Sequence, residues 1–354
     1  MTLILLFLSF TVSSPVQLPI TVPISKPKMG TLTHTSSIRA AQHRFLRNPA
    51  TSVPLENRFD TFFQANVTIG TNQTFKIDLD TGSSDFWVRG PNCKSDDWSC
   101  IGKKVSLPDS SLKPLGKQFS TVYGSGSVTA DIYSANVNIG GAVAKDLPFG
   151  VSTKEASFMG ITGLLGLGFN SISDISNSTG LSASYFDALG YTGENNKFSF
   201  YLSLYGDNDN GEVTLGGVDP TKFTGAINYV PLSGETWWKF DFGQVTYSVG
   251  SISGPASSKK YSTDAISDTG TTLIILGEDV ANAINKEVGA SNYDSDSGTY
   301  SIDCSIQNTG PPLTFNFPGF AISIPAKFYV ISDYDSNCIS AITQGAGPRV
   351  PNVL

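Results

Sequence analysis

Short segments of alternating hydrophobic and polar residues recur along the chain, and they predict β-strands. Residues 75–80 alternate apolar and polar side chains at period two, and the pattern stops at residues 81–84, where a Gly turn is predicted. The same order, an apolar strand and then a Gly turn, recurs at residues 265–272. The 35 glycines and 19 prolines favour turns between short strands. The pattern therefore predicts an all-β protein with two related halves.

The repeat extends further along each half. Leu164-Leu165-Gly166 ends 86 residues after Asp80, and the apolar pair Val353-Leu354 ends the chain 86 residues after Asp268. The first pair is followed by a glycine and the second is not. We therefore expect a C-terminal half that is incomplete, in a chain that is unstable or poorly active as written.

The beginning of the chain differs in composition from the rest. This difference predicts that the chain is organised in four segments. An apolar run at residues 3–10 is followed by small residues, which is typical of a signal peptide over residues 1–14, although an apolar first strand is the alternative. The run is too short to span a membrane, and no later run approaches about 18 apolar residues. The other parts are a basic pro-segment over 15–58, an N-terminal lobe over 59–220 and a C-terminal lobe over 221–354.

Net charge separates the leader, residues 1–58, from the body, residues 59–354. The first 58 residues carry a net charge of +5 and residues 59–354 carry −12. A basic leader on an acidic body indicates a pro-segment held partly by electrostatics, and a disordered basic arm is the alternative. The acidic body argues against nucleic acid as a partner, since phosphates are neutralised by Lys and Arg.

Histidine is absent from the predicted body, because His34 and His43 both lie in the leader. Catalysis by Ser-His or Cys-His pairs, and metal sites that use imidazole, are therefore excluded from the body once the leader is removed. Carboxylates remain as the acid-base groups. We expect no metal and no cofactor.

Four cysteines and three glycosylation sequons indicate a secretory compartment. The simplest of the three possible cysteine connectivities is Cys93 with Cys100 and Cys304 with Cys338. The sequons begin at Asn66, Asn72 and Asn177. We expect a secreted protein, with the vacuole as the alternative destination.

From about residue 63 to the end, the chain resembles the pepsin-like aspartic peptidases, and its leader makes it similar to a fungal-type secreted zymogen. The sequences DLDTGSSDFWV at 78–88 and AISDTGTTL at 265–273 resemble the two active-site loops of that family. A single Asp-Thr-Gly is weak evidence, but two copies 188 residues apart, each after an apolar strand, are strong evidence. The resemblance implies a bilobal fold of two β-barrel-like lobes with the active-site cleft between them.

The resemblance also implies roles for individual residues. Asp80 and Asp268 would share a proton as the catalytic pair and activate a water molecule. Around them, Thr81 and Thr269 would lock the two loops together, Gly82 and Gly270 would allow the close turns, and Ser83 and Thr271 would donate hydrogen bonds to the carboxylates.

The sequence VYGSGSV at 122–128 resembles the flap of the family. Tyr123 would close over the substrate, and Trp87 would hydrogen-bond its hydroxyl. Gly124 and Ser125 would contact the backbone of an extended peptide, which binds as an added strand.

Substrate preference depends on three further residues. Ile161 and Leu164 suggest pockets for bulky hydrophobic side chains. Asp78 is predicted on the same face as Asp80, and we form the hypothesis that it extends the first pocket's preference toward Lys; a hydrogen-bonded structural carboxylate is the alternative.

The expected partners follow from this reading. They are extended peptide or protein substrates, the chain's own pro-segment and pepstatin-like inhibitors, bound by a monomer that needs no membrane. Two other functions remain open: a truncated, inactive relative of the peptidases, and a secreted β-rich binding module.

Overall fold

The computed structural model describes residues 2–6, 50–58, 61–158, 160–205, 211–258, 260–332, 337–347 and 350–354. Most of the predicted signal peptide and pro-segment, residues 7–49, lies outside this range. No helix within these ranges is long and apolar enough to cross a membrane.

Strands are the main regular structure of the described residues. In chain order they are β1 Thr2–Leu6, β2 Thr51–Pro54, β3 Glu56–Arg58, β4 Phe62–Ile69, β5 Gln73–Asp80, β6 Phe86–Lys94, β7 Lys113–Val122, β8 Ser127–Ile139, β9 Ala142–Ala156, β10 Gly163–Gly166, β11 Lys197–Tyr201, β12 Glu212–Leu215, β13 Leu232–Glu235, β14 Trp238–Asp241, β15 Thr246–Val249, β16 Ile252–Pro255, β17 Asp264–Ile266, β18 Ile274–Leu276, β19 Ser291–Asp294, β20 Thr299–Ile302, β21 Leu313–Phe317, β22 Phe320–Ile324, β23 Val330–Ser332, β24 Cys338–Ser340, β25 Ile342–Gln344 and β26 Asn352–Val353.

The helices of the described residues are short. They are α1 Asp174–Thr179, α2 Tyr185–Ala188, α3 Glu278–Glu287, α4 Ile306–Thr309 and α5 Ala326–Tyr329, with 3₁₀ turns at Trp98–Cys100, Asn170–Ile172 and Gly193–Asn195.

The two lobes of the body have separate hydrophobic cores. The main sheet of the first lobe has the order β3-β4-β5-β10-β6-β9-β8-β7, and an additional β4–β8 pairing turns it toward a barrel. The second lobe contains the sheets β13-β14-β17-β26-β18-β25, β16-β15-β21-β22 and β19-β20-β24-β23. Buried residues of the second lobe form a core cluster of their own. The predicted all-β, bilobal fold is confirmed.

The two halves repeat one another at the centre of each main sheet. Strand β10 pairs in parallel with β5 and sets Leu164 opposite Asp78. Strand β26 pairs in parallel with β17 and sets Val353 opposite Ile266. The second apolar pair of the repeat therefore occupies the same register as the first.

The leader and the body meet within the sheets of the first lobe. A four-stranded sheet has the order β1-β11-β12-β2, in which β1 lies parallel to β11 and β2 pairs with β12. Strand β3 pairs with β4. Residues 51–58, which composition grouped with the pro-segment, therefore form part of the sheets of the body.

Both predicted disulfides are present. Cys93 and Cys100 lie 5.7 Å apart at their Cα atoms and close a loop at the end of β6. Cys304 and Cys338 lie 5.2 Å apart and connect α4 with β24 across 34 residues. A loop of that size stabilises the folded state by roughly 3–4 kcal/mol in the chain-entropy view.

Candidate active site

The two Asp-Thr-Gly loops face each other between the lobes. Strand β5 ends at Asp80, which is 5% exposed, and β17 ends two residues before Asp268. A Cβ added to Gly82 would overlap the carboxyl group of Asp268, and one added to Gly270 would overlap that of Asp80. Each loop therefore needs glycine because the opposite aspartate packs directly against it.

Each carboxylate accepts hydrogen bonds from its own loop. Gly82 N donates to Asp80 Oδ1 at 2.7 Å, and the hydroxyl of Ser83 donates to Asp80 Oδ2. The corresponding donors to Asp268 are Gly270 N at 2.8 Å and Thr271 Oγ1 at 2.7 Å. The two aspartates thus have matching donor sets, and these fix the orientation of both carboxyl planes.

Two buried threonines join the loops across the lobe boundary. Thr81 Oγ1 donates to the Ser267 carbonyl at 2.8 Å, and Thr269 Oγ1 donates to the Leu79 carbonyl at 2.7 Å. Each hydroxyl also accepts from the backbone N of the other threonine, at 2.9 and 3.1 Å. The four bonds connect the two loops directly.

Burial raises the pKa of Asp80 well above its usual range. The charge of Asp268 raises the pKa of Asp80 further, and the Ser83 hydroxyl opposes the shift. A buried carboxyl beside a second carboxylate favours the protonated form, because two negative charges at this distance repel each other. The pair is therefore suited to share one proton.

The hairpin of β7 and β8 lies over the site. Trp87 Nε1 donates to the Tyr123 hydroxyl at 3.1 Å, and the ring of Phe158 contacts both, with centroids 5.0 Å from Trp87 and 5.3 Å from Tyr123. At the tip, Gly124 and Ser125 are exposed. The arrangement leaves the tip free to contact a ligand while its tyrosine is anchored.

The flap cluster is a group of apolar residues beneath this hairpin, and it holds Ile161 and Leu164. Both side chains are buried. Its buried members are Trp87, Phe119, Val128, Ala130, Ile132, Phe158, Ile161, Leu164, Ile175 and Ala183, with Phe62, Leu115 and Tyr123 packed against them. The two residues expected to form substrate pockets therefore lie in one apolar wall with the flap tyrosine.

Asp78 is buried, with 3% of its surface exposed, and its Oδ1 accepts a hydrogen bond from Phe63 N at 3.2 Å. Burial raises its pKa to about 7, while the Phe63 N–H opposes the shift and the charge of Asp268 adds to it. A third carboxyl group thus acts electrostatically on the catalytic pair.

Sequence reasoning missed a buried ion pair beside this wall. Arg89 and Glu155 are each 1% exposed, and Arg89 Nη2 donates to Glu155 Oε2 at 2.7 Å. The same nitrogen donates to the Ile161 carbonyl at 2.7 Å, and Nη1 donates to the carbonyl of Ile101. The signal in the sequence was a single arginine within an apolar strand, which gave no indication of its partner.

Sequence reasoning also gave no role to Asp85. Its carboxylate accepts from Ser173 Oγ at 2.6 Å and from the backbone N of Asp174 and Ile175 at 2.9 and 3.1 Å. These bonds attach the start of α1 to the segment after the first loop.

Two carboxyl groups held side by side between two lobes are the arrangement that acid-base hydrolysis by an aspartic peptidase requires. The sequence profile described as eukaryotic aspartyl protease matches residues 62–352, and the chain belongs to this family.

Curated relatives agree with this assignment. The chain is 32% identical over 298 residues to a probable vacuolar protease A of Arthroderma benhamiae, covering 82% of the chain and 71% of the relative. It is 32% identical over 295 residues to cathepsin D of Dictyostelium discoideum, covering 80% and 74%. It is 32% identical over 297 residues to rhizopuspepsin of Rhizopus chinensis, covering 81% and 71%. The prediction of an aspartic-type endopeptidase is confirmed.

Proposed function

We propose that Asp80 and Asp268 hydrolyse peptide bonds as an acid-base pair that shares one proton. The charged member of the pair takes a proton from a water molecule that attacks the scissile carbonyl, and the protonated member donates a hydrogen bond to the carbonyl oxygen. The proton taken from water then passes to the leaving amine, so atoms and charge balance without a covalent intermediate. The observation that supports this proposal is the matching donor set around two carboxyl groups, in a pair whose burial and mutual repulsion favour one shared proton.

The pH dependence of kcat/KM tests the shared proton. Because the pair must keep this proton, and burial and mutual repulsion raise the pKa at which it is lost, activity is expected to be high at acidic pH and to fall as pH rises through that raised pKa. Initial rates on a fluorogenic peptide between about pH 2 and pH 8 measure the profile, as these limits bracket ordinary and raised carboxyl pKa values. A kcat/KM that rises steadily toward neutral pH contradicts the assignment.

The substrates are extended peptides with bulky hydrophobic side chains near the cut. The exposed flap tip offers backbone groups to an added strand, and the buried flap cluster supplies an apolar wall containing Ile161 and Leu164. A pepstatin-like peptide has the same extended, apolar character and is expected to occupy the same cleft, in a monomeric enzyme.

Asp78 gives the first pocket a secondary preference for Lys. The carboxyl lies beside the catalytic pair and has a pKa of about 7, so a bound ammonium group would favour its charged form. Asp78→Ile is expected to lower kcat/KM for a Lys peptide about tenfold relative to a matched Leu peptide, the value of one charge-assisted hydrogen bond.

A control variant separates charge from structure. Asp78→Asn removes the charge but retains an acceptor for Phe63 N, and it is expected to lose the same preference for Lys. If the Lys-to-Leu ratio is the same in wild type and both variants, Asp78 is a structural carboxylate.

The chain is the zymogen of a secretory-pathway enzyme, and the pro-segment ends before residue 51. Strands β2 and β3 supply backbone pairing to β12 and β4, so removing residues 51–58 would open sheet edges in the body. N-terminal sequencing after acidification is expected to give a start at or before Thr51; any start after Thr51 contradicts this boundary.

The proposed function also includes N-glycosylation of the three sequons and a destination within the secretory pathway. Asn66, Asn72 and Asn177 are all exposed, as glycan attachment requires. The vacuolar protease relatives favour the vacuole as the destination, with the extracellular space as the second possibility. A mobility shift after glycosidase treatment, combined with cell fractionation, tests both points, and a chain that is unshifted and cytosolic contradicts them.

A further inference from the structure

Trp238 belongs to the second half of the chain but is buried in the core of the first. It begins β14, is 1% exposed, and its ring centroid lies 4.7 Å from that of Phe169 and 5.3 Å from that of Phe198. Among the described residues, the other buried members of this core cluster all lie at or before Leu215. The Trp238 side chain therefore anchors the second lobe in the core of the first lobe.

On the side of the first lobe, the anchor connects to the backbone of Asp80. Trp238 Nε1 donates to the Leu167 carbonyl at 2.9 Å. Leu167 N in turn donates to the Asp80 carbonyl at 2.7 Å. Two consecutive hydrogen bonds thus run from the indole to the catalytic residue.

On the side of the second lobe, the same residue holds the other loop. The Trp238 carbonyl accepts from Ser267 N at 3.1 Å, and Ser267 directly precedes Asp268. The Ser267 carbonyl accepts from Thr81 Oγ1 at 2.8 Å, and Thr81 directly follows Asp80. The bonds close a circuit from Trp238 through both catalytic loops and back.

We propose that Trp238 is a positioning residue for the peptidase reaction, which sets the separation of the two catalytic carboxyl groups by connecting the backbone of Asp80 with that of Ser267. The threonine bonds alone join the two catalytic loops at one point, so the loops could still tilt relative to each other. The connection through Trp238 removes this freedom. Catalytic groups must be held within about 0.5 Å of their productive geometry, so loosening this connection should slow the chemical step. The inference rests on the proposed roles of Asp80 and Asp268.

The indole N–H can be removed without removing the aromatic ring. Trp238→Phe keeps an aromatic side chain in the core and deletes the donor to Leu167. Its kcat is expected to fall about tenfold with KM changed about twofold or less, since the loss affects alignment and not substrate binding. Concentrations of active enzyme are set by titration with pepstatin, so that an unfolded fraction does not lower kcat.

Two further variants separate alignment from stability. Phe198→Leu reduces the same aromatic contact without touching the circuit, and it is expected to lower the melting temperature while kcat stays within about twofold of wild type. Trp238→His places an N–H at the same position in a five-membered ring but loses the benzene ring. At pH 6 it is expected to have a higher kcat than Trp238→Phe despite lower stability.

The kcat values of these variants distinguish a positioning role of Trp238 from a purely structural one. The inference is overturned if Trp238→Phe has the kcat of wild type or of Phe198→Leu. Should Trp238→Phe not fold, a Trp238→His enzyme with a tenfold lower kcat than wild type, despite its N–H, also overturns it. A wild type without hydrolytic activity overturns both this inference and the proposed function, whereas an active wild type with unaffected Trp238 variants defeats the inference alone.

Discussion

Asp80→Asn is expected to lower kcat for peptide hydrolysis at least about 10³-fold while KM changes about threefold or less. Asparagine keeps the size of the side chain and accepts the bond from Gly82 N, but it has no proton to transfer. Because burial disfavours the charge at this position, the variant should be as stable as wild type or more stable. Single-substrate kinetics and thermal unfolding measure the two effects together.

A matched control is available on the surface. Asp131 lies on β8, where it accepts a bond from Gln118 Nε2 at 2.7 Å, away from the catalytic pair. Asp131→Asn makes the same side-chain substitution and is expected to retain full activity. A fully folded Asp80→Asn enzyme with more than about a tenth of wild-type kcat would show that Asp80 is not the acid-base group, since this is well above the residual activity expected.

Arg89→Met is expected to destabilise the protein by about 3–5 kcal/mol, the range for breaking one partner of a buried ion pair. The substitution leaves Glu155 buried with Ser152 Oγ, at 2.6 Å, as its remaining side-chain donor. It also leaves the carbonyls of Ile101 and Ile161 without the guanidinium. Urea unfolding of both enzymes, followed by fluorescence, measures the difference.

The double variant Arg89→Met/Glu155→Leu tests whether the unpaired Glu155 carboxylate causes this destabilisation. Removing both charges abolishes the uncompensated carboxylate, so the double variant is expected to be at least about 1 kcal/mol more stable than Arg89→Met. Equal or greater destabilisation in the double variant would mean that the lost carbonyl bonds, and not the unpaired charge, dominate. Because Ile161 belongs to the flap cluster, a rise in KM should accompany Arg89→Met.

Features that depend on residues close together in the chain could be predicted from the sequence. The two Asp-Thr-Gly loops, each after an apolar strand, fixed the class of the site, because strand, turn and hydroxyl donor follow one another within a few residues. The apolar pair Val353-Leu354 was also visible, and its register beside β17 matches that of Leu164 beside β5.

Contacts between distant segments could not be predicted. Arg89 and Glu155 are 66 residues apart, and Trp238 bonds to a carbonyl 71 residues away. Neither residue has a local pattern that names its partner, since burial of a charge or an indole depends on the tertiary packing. Composition groups residues 51–58 with the leader, and it did not indicate their pairing with β12 and β4, because backbone pairing carries no compositional signal.

The most direct test of the account is the hydrolysis of acid-denatured haemoglobin at about pH 3.5, close to ordinary carboxyl pKa values, with and without pepstatin. The account expects measurable hydrolysis by the acid-activated protein and complete loss of that activity when pepstatin is added in slight molar excess. Hydrolysis that continues unchanged in the presence of pepstatin would contradict it.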